Sequence, residues 1–287
     1  MKRFLAALIL TTSALGCSIS FDGLVDDAHY VDTTRSENRG SEKAVTARVQ
    51  LKVGELQIEP GQSDKAYEVD LHYNEKAFKP SVSFDAGEDG QASLRVGLDG
   101  EGHAWGNVGE NSIRLRLNPD TPLSLRADTG VGESTIDLSG MSVDSIELQS
   151  GVGETKLSML EPNQSECRRM EISTGVGAFA LTGLGNFNCE KMRFRGGVGG
   201  SELELSGEWK SVGDIDIEVG VGGVEIRLPR DLGAEIRMSE GLFSELSVPS
   251  GFTKKGDTYF SDNRDHVQKT LKLRVRAGIG GVEVKWM

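Results

Sequence analysis

The chain has 287 residues with 44 Asp+Glu against 32 Lys+Arg, a net charge of -12. That is room for one or two domains with a sizeable core, but the wrong sign for gripping nucleic-acid phosphates, which takes clustered cations. Its 37 Gly against 7 Pro follow no Gly-X-Y triplet and 37% of its residues are apolar, which excludes both collagen and a disordered low-complexity chain.

Lys2 and Arg3, the apolar run Phe4 to Leu10 and the small polar stretch Thr11 to Gly16 read as a signal peptide over 1–16, too short to span a bilayer. Ala14-Leu15-Gly16-Cys17 resembles a bacterial lipoprotein box, although the usual order of the first two residues is reversed. The resemblance makes Cys17 an acylated N-terminus carrying palmitate-type chains. The competing reading is plain cleavage after Gly16, which leaves Cys17 a free thiol. Ser18 resembles the residue that sends lipoproteins on to the outer membrane, so an exported chain is expected there, on its periplasmic or surface side. No later stretch approaches the ~18 apolar residues of a membrane helix, so the lipid would be the membrane contact. Residues 17–43, with Asp22, Asp26, Asp27, Asp32, Arg35, Glu37 and Arg39 among Ser, Thr and Gly, read as a lipidated N-terminus and solvated tether.

From Ala44 the chain alternates. Val45, Ala47, Val49, Leu51 and Val53 keep a period of two, as do Leu94, Val96, Leu98 and Ile113, Leu115, Leu117. No long window carries a helical stripe, so the fold is expected to be all-β. Residues 44–107 read as an N-terminal β-rich capping region. Over 108–287 a repeat dominates: Val-Gly or Ile-Gly stands at Val53, Val108, Val131, Val152, Val176, Val198, Val221 and Ile279, with steps of 23, 21, 24, 22 and 23 residues from Val108 to Val221. Five places after the repeat residue stand Ile58, Ile113, Ile136, Leu157, Leu181, Leu203, Ile226 and Val284. Six places before it stand Leu125, Ile146, Met170, Met192, Ile215 and Leu273. Ile236, Met238 and Leu242 continue the columns through a degenerate turn. A fixed period in the twenties means stacked supersecondary units. The expectation is a parallel β-solenoid of about seven or more turns, each of 21–24 residues with two or three strands, whose apolar columns fill the interior. Each repeat Val, between two glycines, is expected to point inward at a sharp bend. A polar insert over 249–270, with Lys254, Lys255, Asp257, Tyr259, Asn263 and His266, interrupts the period.

The motifs for chemistry are missing. Gly197-Val198-Gly199-Gly200-Ser201 leads into a strand and lacks the G-x-G-x-x-G spacing, so it is no phosphate cradle. His29, His72, His103 and His266 have no metal-ligand spacing and read as surface residues. No G-x-S-x-G elbow occurs. Trp105, Trp209, Trp286 and Tyr259 offer a possible sugar platform, though single aromatics at turn ends are more often caps. Glu110, Glu133 and Glu154, each two places after a repeat Val, are expected to form a column as a solvated ridge, with a bridging divalent cation as the alternative. Cys167 and Cys189 each precede a repeat Val by nine residues, where Val143 and Val212 stand in neighbouring turns. One column on adjacent turns in an exported chain predicts a disulfide, the alternative being two buried thiols.

Leu51-Lys-Val-Gly-Glu-Leu-Gln-Ile58, Tyr73-Asn74, Lys79-Pro80, Ser83-Phe84, Ile113-Arg-Leu-Arg-Leu-Asn118, Pro122-Leu-Ser-Leu125, Gly130-Val-Gly-Glu133 and Asp137-Leu-Ser-Gly140 occur in order. The chain from about 44 to 287 thereby resembles the bacterial toast-rack proteins, adhesin-like β-strand repeats related to the C-terminal domain of cell-wall-antibiotic-response regulators. The insert at 249–270 departs from that pattern. The resemblance implies an envelope-associated β-solenoid with no enzymatic activity, no catalytic residue and no cofactor. The leading expectation is therefore a non-enzymatic envelope lipoprotein whose solenoid serves adhesion or scaffolding towards an envelope protein or glycan. An accessory regulator of an envelope-stress sensor and a carbohydrate-active β-helix enzyme are the alternatives, and the oligomeric state is left open.

Overall fold

The computed structural model describes residues 28–100, 110–210, 213–239 and 243–287. The signal segment, Cys17, His103, Trp105, Val108, Val212 and Leu242 lie outside these residues. In chain order the strands are β1 (Tyr30–Asn38), β2 (Ala44–Val53), β3 (Glu55–Pro60), β4 (Lys65–Asn74), β5 (Phe78–Asp85), β6 (Gln91–Gly100), β7 (Ser112–Leu117), β8 (Leu123–Val131) and β9 (Ser134–Asp137). They continue as β10 (Val143–Ser158), β11 (Cys167–Thr182), β12 (Cys189–Glu204), β13 (Asp214–Leu228), β14 (Gly233–Ser239), β15 (Phe243–Ser247), β16 (Phe252–Lys255), β17 (Thr258–Ser261) and β18 (Thr270–Trp286). Among the described residues helix is confined to one turn, α1 (Leu184–Phe187), and a 3-10 turn at Asp262–Asp265.

The strands form two walls that meet at the repeat Val. β10, β11, β12, β13 and β18 run through both walls as single bent strands of 15 to 17 residues, whereas β2–β3 and β8–β9 break at the same corner. The first wall runs β5-β6-β2-β8-β10-β11-β12-β13-β18-β14-β17-β16, and the second runs β1-β4-β7-β3-β9-β10-β11-β12-β13-β18-β15. All pairs between repeat rungs are parallel. The aligned columns are in register, as in Ile146↔Met170, Met170↔Met192 and Met192↔Ile215, and these side chains are at most 4% exposed. Packed between the walls, the columns make one continuous core.

The expected run of seven or more turns in chain order is not what the strands build. Only the rungs β8–β9, β10, β11, β12 and β13 follow one another in sequence. β18 lies between β13 and the β14–β15 rung, and β2–β3 lies between β6–β7 and β8–β9. Part of the region expected to cap the stack, β2–β3, is therefore an interior rung with its own repeat residue, Val53. The insert at 249–270 supplies the β16–β17 hairpin and the 3-10 turn, which carry the chain back so that β18 can return inside β14.

The tether expected over 17–43 also needs correction, since β1 occupies Tyr30–Asn38. It pairs antiparallel with β4, where Thr34 donates to Asp70 at 2.7 Å and the His72 ring lies 2.8 Å from Asp32. Its polar composition hid it, because an edge strand covers another strand without burying an alternating face of its own, and charge on such an edge blocks further pairing.

Short return segments close the third side. Buried Asn side chains hold them: Asn163 donates to the carbonyls of Val143 (2.8 Å) and Phe187 (3.1 Å), and Asn186 donates to that of Met159 (2.8 Å). Cys167 and Cys189 are paired across β11 and β12, with Cα atoms 4.2 Å apart, 1% exposed and joined by a disulfide.

Candidate interaction surface

The repeat residues do not point inward. Val131, Val152, Val176, Val198, Val221 and Ile279 are between 41% and 54% exposed and stack in register on the outer corner. The reason is the glycine that follows. Gly177, for example, has φ +140, and a Cβ there would lie 1.9 Å from the Gly153 carbonyl oxygen of the neighbouring rung. That conformation turns the chain around the interior, so the preceding side chain falls on the convex side. Alternation resumes one step out of phase. At about 4.8 Å per rung the six side chains form an apolar ridge about 24 Å long.

Beside the ridge on the second wall runs an open groove of about 720 Å³, floored towards its C-terminal end by Ala178, Gly200, Gly223 and Gly281. Its far rim is a charged row. Arg227 pairs with Glu202 (2.8 Å) and Glu225 (2.6 Å), and Lys285 pairs with Glu225 (2.6 Å) and Glu283 (3.1 Å). Hydrogen bonds first from Lys285 and then from Arg227 hold the Glu225 carboxyl below its ordinary range. On the first wall a second ladder joins rungs: Arg193 and Arg274 flank Asp216 at 3.8 and 2.5 Å, and Arg195 lies 3.6 Å from Glu218, which also pairs with Arg276. The hydrogen bond from Arg274 is the main cause of a lowered Asp216 pKa.

The acidic column differs from expectation. Register places Glu55 beside Glu133, and Glu133 beside Glu154, while Glu110 falls out of line because β7 pairs with β3 through Ser112↔Glu55. Glu154 is matched by Lys156 at 2.9 Å. Among the described residues no group of three or more His, Cys, Asp or Glu is placed to hold a metal ion. His29 and His72 each face a carboxylate across β1 and β4, at 2.9 Å from Glu75 and 2.8 Å from Asp32. Trp209 is a core residue, 3% exposed, donating to the Leu205 carbonyl at 2.9 Å. Trp286 remains partly exposed at the C-terminal end of the stack, and Tyr259 lies under Lys254 at 5.0 Å.

The family profile described as the N-terminal domain of toast_rack (DUF2154) matches residues 26–182 and again 163–227. No curated protein sequence matches the chain. Among solved structures it is similar to a protein of Clostridium sporogenes ATCC 15579 provisionally named as a cell adhesion protein, at 18% identity and TM-score 0.50, covering 90% of this chain and 100% of that one. It is also similar to a protein of Bacteroides fragilis NCTC 9343 provisionally named as an adhesin, at 12% identity and TM-score 0.35, covering 89% of this chain and 97% of that one. With both profile matches falling on the stacked rungs and together spanning more than half its length, the chain belongs to the toast-rack family.

Proposed function

We propose that this protein is a non-enzymatic, adhesin-like scaffold of the cell envelope that holds a partner along its outer corner. The observation that carries the reading is the row of six exposed β-branched side chains, since a contiguous apolar strip in water marks a contact surface. The provisional naming of the Clostridium sporogenes protein for cell adhesion supports the same class. Export through residues 1–16 and acylation of Cys17 would place the scaffold at the envelope, most simply at the outer membrane, with a protein or glycan of the envelope as partner.

The test is retention of the purified mature chain on isolated envelopes. Replacing Val152, Val198 and Ile279 together by Asp adds charge at exposed positions on alternate rungs, about 9.6 Å apart, and leaves the core columns untouched, so the thermal midpoint should hold while retention falls at least tenfold. Undiminished retention would remove the ridge from the function.

A further inference from the structure

Arg48 on β2 and Arg95 on β6 stand opposite each other in the parallel register, and both point outward, because their strand neighbours Ala47, Val49, Leu94 and Val96 are buried. Neighbouring strands lie about 4.8 Å apart, so the two guanidinium groups share one stretch of the first wall's outer face. The row continues with Arg126 of β8 on the far side of Arg48 and ends at Ser83 of β5 beyond Arg95. Like charges set directly across strands repel. Three arginine rungs in succession therefore call for anions.

The chain supplies them to one of the three. Arg126 pairs with Asp128 at 3.2 Å and with Glu147 at 3.3 Å. Arg48 and Arg95 have no ion pair among the described residues, although acidic residues outnumber basic ones along the chain. Farther along the same face Arg193 and Arg274 meet on Asp216, so the unpaired rungs depart from the local rule. Beside them the hydroxyls of Thr46, Ser83 and Ser93 and the amide of Gln50 make no hydrogen bond among the described residues. Of the carboxylates on the adjoining positions, Asp128 is held by Arg126, Asp85 accepts from the Gly87 N–H at 3.1 Å, and Asp99 stands opposite Lys79. Two uncommitted guanidinium groups thus lie among uncommitted hydroxyls.

We infer that Arg48 and Arg95 form a binding site for a phosphate group. A guanidinium donates in one plane and grips a carboxylate or a phosphate by two parallel hydrogen bonds. A carboxylate has both its oxygens in one plane and satisfies one such fork. A phosphate ester offers three oxygens around a tetrahedron, which accept from two forks at once and leave an acceptor for a neighbouring hydroxyl. Its negative charge also removes the repulsion between the two rungs. Past Gln50 the face opens into a depression of about 670 Å³ walled by Thr129 and Gln149, which has room for the molecule that carries the phosphate. The site lies apart from the corner ridge and does not depend on it.

The experiment follows the arginine Nε–Hε signals of the purified mature chain by NMR, at constant ionic strength, as inorganic phosphate, glycerol phosphate or acetate is added. The Arg48 and Arg95 signals should shift saturably with at least one phosphate probe, acetate should bind at least tenfold more weakly, and bound phosphate should raise the thermal midpoint by mass action. Arg48→Gln and Arg95→Gln should each weaken that binding at least tenfold. Both are exposed positions whose loss relieves a like-charge contact, so without phosphate neither variant should melt below the parent. The two probes separate the sources: tighter inorganic phosphate means a free ion, tighter glycerol phosphate an ester. No saturable shift with either, acetate bound within tenfold of phosphate, or binding that both substitutions leave intact overturns the proposal. Envelope retention separates this from the scaffold reading: a retained chain that binds no phosphate loses the site and keeps the scaffold, whereas a phosphate-binding chain that is not retained does the reverse.

Discussion

At the scale of single residues, two neighbouring glycines have opposite reasons to be there. Gly222 has φ +133 and a Cβ on it would lie 1.9 Å from the Gly199 carbonyl oxygen; Gly200, in the groove floor, would offer a Cβ nothing within 4 Å. Gly222→Ala should therefore cost about 1–3 kcal/mol or more, while Gly200→Ala should be neutral or stabilise by up to ~1 kcal/mol, because alanine loses less backbone entropy on folding. Urea unfolding of the two variants checks the pair, and equal costs would contradict the corner geometry. Charged residues give a second prediction. Asp216 is 17% exposed between Arg274 and Arg193, with a folded-state pKa below its ordinary value, so its contribution is present at neutral pH and lost as pH falls through and below the usual carboxylate range. Asp216→Asn should lower stability at pH 7 and flatten the acid limb of a plot of thermal midpoint against pH. An acid limb as steep as that of the parent would show that other carboxylates set it.

At the scale of elements, the disulfide between β11 and β12 joins residues 22 apart in sequence. The chain-entropy model gives such a loop about 3 kcal/mol of stabilisation. Reduction should lower the urea midpoint accordingly, and intact mass after alkylation of the unfolded, unreduced chain should show neither Cys167 nor Cys189 modified; alkylation of both would refute the bond. This pair was legible in the sequence because its column offset fixes it, and the alternating apolar columns were legible for the same reason. The order of the rungs was harder. β14 and β18 carry equivalent apolar positions, Ile236 and Met238 against Leu273 and Val275, so periodicity alone fits either beside β13. Charge distinguishes them: β18 sets Lys272, Arg274 and Arg276 against Asp214, Asp216 and Glu218, whereas β14 in that register would set Glu235 against Asp214. The outward turn of the repeat Val was hidden for another reason. It follows from the positive φ of the next glycine, and a side-chain pattern carries no sign of φ.

At the scale of the whole molecule, the two walls have four ends. β5, β1 and the β16–β17 hairpin close three of them with antiparallel strands, and β15 ends the second wall as a parallel strand paired with β18. Trp286 lies at this C-terminal end, while β1, the first described strand, lies at the opposite end of the second wall. A chain held by its N-terminus would thus present β15 and the C-terminal half of the ridge away from the point of attachment. Cys17 is thirteen residues before Tyr30 in the chain. Several acyl chains bind far more firmly than one, so a triacylated Cys17 would keep the protein with the membrane through salt and alkaline washes. Cys17→Ser should move it to the soluble fraction. A substituted chain that stays with the membrane through those washes would mean that the attachment is made by the folded stack itself.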